Sequence, residues 1–306
     1  MAVIDRDETP RKHTRFLTTG EIEREIAGIR TGLEMDGIRF LPEAEAATRS
    51  VLAGEVNGDE VNACRLVRTH TSHEVGHECH YPGTKAPRNL LGYNPSHTLE
   101  QSTALIVAAR MAELASNPIE GRFDFAHLQA IHRYLFNELY EWAGNIRTTN
   151  ARPCLPGVLH APPTAIQEEL LRAFGDINSG VYLNHHTCEH FVHDLAGHWG
   201  DLTVVHPFPG GNSTAQKVFF DHLARTVGWA IEWREISTPA AQAARHFAYV
   251  DGGKTLADVL RPAINPVSQT PPEFMATASR ETTLTPNQHW EAMIKHYDTM
   301  PEQPYT

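Results

Sequence analysis

Apolar residues recur at helical spacing along most of the chain, and the alternating pattern of a half-buried strand is nearly absent. Leu128, Ile131 and Leu135, for example, would fall on one face of a helix. The same spacing predicts helices over residues 42–52, 60–69, 99–114, 125–142, 164–177, 189–205 and 213–229. The sequence therefore predicts an all-α protein.

An earlier helix is predicted to begin at Thr18 or Thr19, because either residue can cap it and acidic residues follow in its first turn. Ile22, Ile26 and Leu33 then share one face. With the next two helices it would form a three-helix segment, residues 18–70, that is too small to fold well alone. We expect this segment to dock on the larger domain C-terminal to it.

The remaining chain divides by composition. Residues 1–17 are polar and predicted to be disordered, and residues 71–80 are a linker rich in histidine. Residues 81–262 form the main domain, and residues 263–306 a tail with one helix near 287–297. Prolines and a glycine within residues 147–163 forbid a long helix, so extended pieces there could pair as a short β-hairpin.

Composition narrows the function classes. Of 306 residues, 41% are hydrophobic and 21% charged, and no apolar run approaches the roughly 20 residues that span a bilayer. The net charge of −11 argues against a broad nucleic-acid interface. The polar start carries no signal-peptide pattern, so we expect a cytoplasmic protein without membrane or nucleic-acid partners.

Possible metal ligands lack convincing spacing. The four cysteines form no CxxC pair, which favours free thiols. HEVGH, from His73 to His77, matches a zinc-protease pattern, but Gly76 and the polar neighbours favour a linker over the required helix. His186, His190 and His193 share a helix face without a clear further ligand. We therefore predict no metal site.

The strongest candidate for chemistry is VVHPFPGGNSTAQK, from Val204 to Lys217. HPF would end one helix and PGGN would turn the chain into the next, where unpaired N–H groups form an anion-binding nest. His206 beside that nest could take a proton from an attacking hydroxyl. The alternative is that the segment only joins two helices.

This stretch resembles the signature of the Fic family, which is HPFx, an acidic residue, GN, Gly or Lys, Arg, two residues and Arg. FDFAHLQAIHRYLFNELYEWAGNIRTTN, from Phe123 to Asn150, resembles the family's long helix and the start of its target-binding flap. Residues 81–92 and 217–233 resemble its entry segment and the helix behind the signature. The resemblance implies a Fic-type helical bundle with a short β-hairpin flap, in a bacterial protein. Four flap residues could then clamp a target, namely Arg147, Asn150, Arg152 and His160.

Carried over position by position, the resemblance makes His206 the general base and Asn212 a residue that orients the site. Gly210 stands where the family has its magnesium-binding acid, and Thr214 and Lys217 stand where it has phosphate-binding arginines. Glycine has no ligand oxygen and threonine cannot replace a guanidinium, so use of ATP or another nucleotide with Mg²⁺ would be weakened. The expected anion site comprises Gly210, Gly211, Ser213, Thr214 and Lys217.

The N-terminal segment resembles a VbhA-like antitoxin that is fused to some Fic domains. The likeness lies in IAGIRTGLEMDGIRFLPEAEA, residues 26–46. In the inhibitory helix of that antitoxin, a serine or threonine precedes a glutamate by four residues. In this chain Gly32 and Asp36 stand at those two positions. The resemblance implies that Asp36 inhibits the site, and a short Asp36–Lys217 ion pair could replace the family's pair.

Three functions are open at this point. The first is a divergent Fic-type transferase that moves a nucleotidyl or related phosphate-containing group to a hydroxyl of a protein target. The second is a Fic-fold enzyme that carries out elimination, hydrolysis or rearrangement of a small anionic metabolite. The third is an inactive Fic-fold protein that binds a partner. A homodimer is also left open.

Overall fold

The computed structural model describes residues 17–63, 88–92, 97–151, 158–178 and 187–267. Within these residues the fold is almost entirely helical, which confirms the predicted class. The helices are α1 (Thr19–Met35), α2 (Pro42–Leu52), α3 (Gly58–Ala63), α4 (His97–Ser116), α5 (Phe125–Phe136), α6 (Ile166–Asn178), α7 (Cys188–Val205), α8 (Asn212–Thr226), α9 (Thr238–Asp251) and α10 (Lys254–Leu260). None of these described helices is long and apolar enough to cross a membrane.

Helix α1 begins as its sequence indicates. Thr18 and Glu21 form a reciprocal capping box, in which the Thr18 amide donates to the Glu21 carboxylate at 2.8 Å and the Glu21 amide donates back to the Thr18 hydroxyl at 3.3 Å. Ile26, Ile29 and Leu33 are buried on the inner face. The C-terminal end of α1, at Asp36, lies against the start of α8.

Helix α8 is the centre of the core. Nearly every residue of α8 is buried, as expected for a helix that other elements surround. It packs against α1, α5, α7 and the first strand. Phe219 and Phe220 of α8 are fully buried with Trp199 of α7. The loop that precedes α8 is consequently held on a rigid support.

The N-terminal segment is joined to the main body by an ion-pair cluster around Arg110 of α4. Its guanidinium contacts Asp59 at 2.5 Å, Glu113 at 2.7 Å and Glu138 at 2.9 Å. Asn62 of α3 also donates to Glu138 at 2.8 Å. Since Arg110 is only 8% exposed, loss of its partners would leave a charge in a poorly hydrated place. This cluster fixes α3 against α4.

Several boundaries differ from the predictions. Helix α5 ends at Phe136, earlier than the predicted residue 142, and two turns follow it. Helices α9 and α10 were not predicted. Two short antiparallel strands also appear, β1 (Trp229–Ile231) and β2 (Ile264–Pro266), with Ala230 opposite Asn265. Because β2 lies in the predicted tail, the packed chain extends at least to Val267.

The flap region is described only at its two ends. The Arg147 amide donates to Pro207 O at 2.9 Å, and the Ala161 amide donates to Val204 O at 3.1 Å. Both ends are thus hydrogen-bonded to the last turn of α7 or to the residues just after it. Residues 152–157 lie outside the described residues, so the β-hairpin stays a prediction. The same holds for the N-terminal residues 1–16, the linker 71–80 with its HEVGH sequence, His186, and the helix at 287–297.

Candidate functional site

The loop between α7 and α8 begins with an unusual backbone conformation at His206. Its φ of 48° and ψ of 63° place a non-glycine residue in the left-handed region, where it ends α7. Its amide still donates to Leu202 O at 3.0 Å. Such a conformation is costly for a residue with a side chain, so neighbouring contacts must hold it.

Arg147 supplies those contacts from beneath the loop. Its guanidinium donates to His206 O at 2.6 Å, Thr149 O at 2.8 Å and Val205 O at 3.2 Å, and also to Ala161 O. The residue is 3% exposed, and burial lowers the pKa of its guanidinium. Arg147 is therefore engaged with carbonyls of the loop and flap, whereas Asn150 of the same flap is exposed.

Asn212 closes the loop at its other end. Its amide nitrogen donates to Phe208 O at 2.8 Å, and its Oδ1 accepts from the Phe208 amide at 3.0 Å. The side chain is 1% exposed, so both bonds are protected from water. Asn212 thus holds the loop through the backbone of Phe208.

Gly211 is required by two features of the loop. Its φ is 71°, and a Cβ there would lie 2.4 Å from the ring of Phe136. Any other residue would combine left-handed strain with a steric overlap. The tight turn thus allows the backbone of α8 to begin close to His206.

His132 of α5 is a supporting residue that was not predicted from the sequence. Its Nδ1 accepts from the Gly144 amide at 2.8 Å, which leaves its Nε2 to donate to Gly210 O at 2.9 Å. Its ring stacks on Phe208 at 3.8 Å, and burial lowers its pKa to about 4. In the sequence, the signal for this supporting role was a histidine among the apolar positions of α5.

The start of α8 binds a carboxylate of the protein itself. Asp36 Oδ1 accepts from the Ser213 amide at 3.1 Å, and Oδ2 accepts from the Thr214 amide at 2.8 Å. The Thr214 hydroxyl lies 2.7 Å from Asp36 Oδ2 and 2.9 Å from Gly32 O. The donors at the start of α8 are therefore occupied by a carboxylate that the end of α1 provides.

Lys217 does not pair with Asp36, so the predicted Asp36–Lys217 ion pair is wrong. Its ammonium lies 2.6 Å from Asp221 Oδ2 and over the ring of Trp233 at 5.3 Å. The Trp233 indole also donates to Asp221 at 3.0 Å. Asp221 lies one helical turn along α8 from Lys217, whereas the short Asp36 side chain is already bound by the helix start. The lysine thus points away from the anion site.

Gly210 faces an aromatic side chain. A Cβ at Gly210 would lie 3.3 Å from Cη2 of Trp142, whose ring stacks on Tyr140 at 4.3 Å. Among the described residues, no group of three or more histidine, cysteine, aspartate or glutamate side chains is arranged to hold a metal ion.

The His206 imidazole stacks on His160, with ring centroids 4.1 Å apart. Desolvation lowers its pKa well below the usual value, and the positive surroundings of His160, Arg147 and Arg245 lower it further. Neither ring nitrogen of His206 bonds to a side chain among the described residues. A neutral imidazole with free lone-pair capacity can accept a proton.

Comparisons with known proteins identify the family of this chain. The model of the Fic/DOC family matches residues 122–224, which include α5 and the His206 loop. The "Probable protein adenylyltransferase Fic" of Escherichia coli K12 is 30% identical over 160 residues, which cover 52% of this chain and 78% of that protein. The chain belongs to the Fic/DOC family. A protein of the same name from Salmonella typhimurium is 29% identical over 62% of this chain and 93% of its own length.

Other Fic proteins match more distantly. Protein adenylyltransferase VbhT of Bartonella schoenbuchensis is 27% identical over 59% of this chain and 37% of that protein. BepC of Bartonella tribocorum, solved with bound AMPPNP, superimposes with a TM-score of 0.58 at 23% identity, covering 64% of this chain and all of that structure. The Fic domain of a Bep effector from Bartonella quintana, with bound ADP, has the same TM-score at 24% identity, covering 63% of this chain and 97% of that structure. The Fic fold of this chain is thus established.

Proposed function

We propose that this chain is a Fic-type transferase that moves a nucleotidyl or related phosphate-containing group to a hydroxyl of a protein, with His206 as general base. The observation that carries the proposal is the Asp36 carboxylate in the amides at the start of α8. It indicates that an anion binds directly after the loop that presents His206. Relatives named as protein adenylyltransferases support the same class of reaction.

The chemistry follows from the positions of base and anion site. The hydroxyl oxygen of the target attacks the α-phosphorus, and its proton passes to His206. The bond from that phosphorus to its bridging oxygen breaks, so pyrophosphate leaves when ATP is the donor. Because His206 is neutral at pH 7, it can accept the proton without first losing one.

The phosphates would be held by backbone rather than by charged side chains. The Ser213 and Thr214 amides and the Thr214 hydroxyl supply the donors, while Lys217 is committed to Asp221. A missing charged contact typically removes about 1.5–3 kcal/mol of binding free energy. We expect weaker binding of a triphosphate than an arginine-bearing site would give.

The residues at this site do not fit a protein-held magnesium ion. Gly210 has no ligand oxygen, and Trp142 lies where a longer side chain at that position would begin. A magnesium ion would have to be carried by the nucleotide phosphates and water. We therefore assign no step to a protein-bound metal.

Asp36 would act as an inhibitor in this scheme. It fills the same amides that the phosphates need, so donor binding and the observed position of Asp36 exclude each other. The end of α1 must move, or Asp36 must rotate away, before transfer. The inhibition would then come from competition for the helix start rather than from an ion pair with Lys217.

One observation favours the second candidate function, a reaction of a small anionic metabolite. The two oxygens of one carboxylate are enough to occupy the hydrogen-bond donors at the start of α8. Among the described residues, no cationic side chain lies there to bind a larger anion. A single phosphate or carboxylate group would suit such a site. The base could still be His206.

The decisive experiment compares two variants of the full chain, Asp36→Ala and Asp36→Ala with His206→Ala. Each is incubated with a cell lysate and α-³²P-labelled ATP, GTP, CTP or UTP, with and without Mg²⁺. Protein-bound label that needs His206 supports the transferase. If no nucleotide labels any protein, nucleotidyl transfer is rejected. Turnover of a small metabolite that needs His206 would then support the second function, and no effect of His206→Ala on any turnover would support a binding protein.

A further inference from the structure

A second imidazole accompanies the base in this site. His160 precedes α6, and its ring lies against the ring of His206 with 4.1 Å between centroids and 33° between planes. The two residues come from different parts of the chain and are brought together by the Ala161–Val204 backbone hydrogen bond. The proposed transfer reaction gives no role to His160.

The hydrogen bonds of the two rings differ. His160 Nδ1 lies 3.2 Å from Val204 O. Because a carbonyl only accepts, Nδ1 carries the proton, and Nε2 remains as the basic nitrogen. The same contact remains favourable when the His160 ring is charged. The His206 ring has no corresponding acceptor among the described residues, so it gains no comparable stabilisation on protonation.

The charged groups around the pair have one sign. Arg147, and Arg245 and His246 of α9, act on the pair electrostatically, and each opposes a positive charge there. Burial and these groups lower the pKa values of both histidines, and for His160 a hydrogen bond to the Val204 carbonyl opposes that shift. A first proton entering this cluster is therefore better held on His160 than on His206.

We propose that His160 is a positioning residue that protects the base: it takes the first proton as the pH falls, and its charge then keeps His206 unprotonated. Two imidazoles at this separation titrate as a coupled pair, because a charge on one ring opposes a charge on the other. The role of His206 as the base rests on the proposed function. The order of protonation does not, and it can be measured separately.

The test uses two matched variants of the full chain. His160→Phe keeps a ring against His206 but cannot titrate, and His160→Gln keeps a donor for Val204 O without a ring. His193→Gln is the control, because His193 lies on α7 with its side chain 66% exposed. Imidazole carbon–proton NMR signals are followed from pH 8 to pH 4.5, with signals assigned by single substitution.

In the unmodified protein, we expect His160 to titrate at a higher pH than His206. In both His160 variants, the midpoint of His206 should rise by about half a pH unit or more, since the repelling charge is gone. His193→Gln should leave it unchanged. A His206 that titrates before His160, or an unchanged His206 midpoint in the two His160 variants, would overturn the proposal whether or not the protein proves to be a transferase.

Activity supplies the second measurement. If transfer is detected, the acid limb of the pH profile of His160→Phe in the Asp36→Ala background should shift to higher pH than that of its parent by about half a unit or more. A purely packing role would give a loss in kcat that does not depend on pH. A loss in kcat that is the same at every pH, with the acid limbs of variant and parent at the same pH, would argue against protection of the base by His160.

Discussion

The carboxylate of Asp36 and the first turn of α8 at Thr214 are joined by two hydrogen bonds, one from the Thr214 amide at 2.8 Å and one from its hydroxyl at 2.7 Å. They link the end of α1 to the helix that follows the His206 loop. A helix start favours negative charge, so the contact both stabilises the fold and fills the anion site. Under the proposed function, stability and inhibition are therefore coupled through one side chain.

This coupling predicts opposite effects of Asp36→Ala. Transfer or phosphate binding should increase by roughly tenfold or more, because the competing carboxylate is removed. The free energy of unfolding should fall by about 0.5–2 kcal/mol, as for loss of a helix cap. Labelled-nucleotide transfer and urea denaturation measure the two effects.

Glu34→Ala is the matched control for that change. Glu34 lies two residues earlier, and its side chain has no hydrogen-bond partner among the described residues. Glu34→Ala should change neither transfer or phosphate binding nor the free energy of unfolding appreciably. Unchanged or lower activity of Asp36→Ala, measured on folded protein, would reject the inhibitory role.

Gly211→Ala should strongly destabilise the loop. The new methyl group would lie 2.4 Å from the Phe136 ring at a φ of 71°. Left-handed strain alone costs about 1–2 kcal/mol, and the steric overlap adds to it, so we expect a loss of at least about 3 kcal/mol. Gly228→Ala is the comparison, because Gly228 has a φ of 89° but a methyl group there would meet no atom within 4 Å. Equal losses in thermal unfolding would show that the Phe136 contact is unimportant.

Lys217→Met should reduce stability without acting on the anion site. It leaves Asp221, which is only 7% exposed, without its cation, and breaking such a buried pair typically costs about 3–5 kcal/mol. The double variant Lys217→Met with Asp221→Leu should recover much of the loss, as a double-mutant cycle in urea would reveal. Phosphate affinity of the folded single variant should stay within about twofold. A loss of tenfold or more would instead place the lysine at the phosphates.

Acid should destabilise the protein from about pH 6.5 downward. Several buried histidines have pKa values lowered by desolvation, so the unfolded chain binds more protons than the folded one below the unfolded value of about 6.5. Their contribution is fully present above that pH and is lost as the pH falls. These residues are His127, His132, His160, His206, His222 and His246.

For His132, with a pKa of about 4, the loss between pH 7.5 and pH 5 is roughly 2 kcal/mol. Urea unfolding at pH 7.5, 6.5, 5.5 and 5 would measure the sum over all these histidines. The exposed His193 serves as the reference, since His193→Gln should leave the curve unchanged. Stability that is flat across this range would contradict the neutral state assigned to the buried histidines.

The amino-acid sequence determined the parts of this protein that depend on near neighbours. The spacing of Leu128, Ile131 and Leu135 predicted a helix, and Thr18 with Glu21 predicted where α1 begins. HPF followed by two glycines predicted the turn that presents His206. These are local properties, because helix periodicity, caps and tight turns are set within a few residues.

Tertiary structure decided which partners those residues meet. Asp36 lies 178 positions from Thr214 in the chain, and His160 is brought to His206 by a backbone contact. Lys217 was predicted to pair with Asp36, and the packing of α1, α8 and Trp233 gives it Asp221 instead. Contacts between distant segments depend on how whole helices pack, and the apolar pattern of each helix specifies a buried face without naming its neighbour.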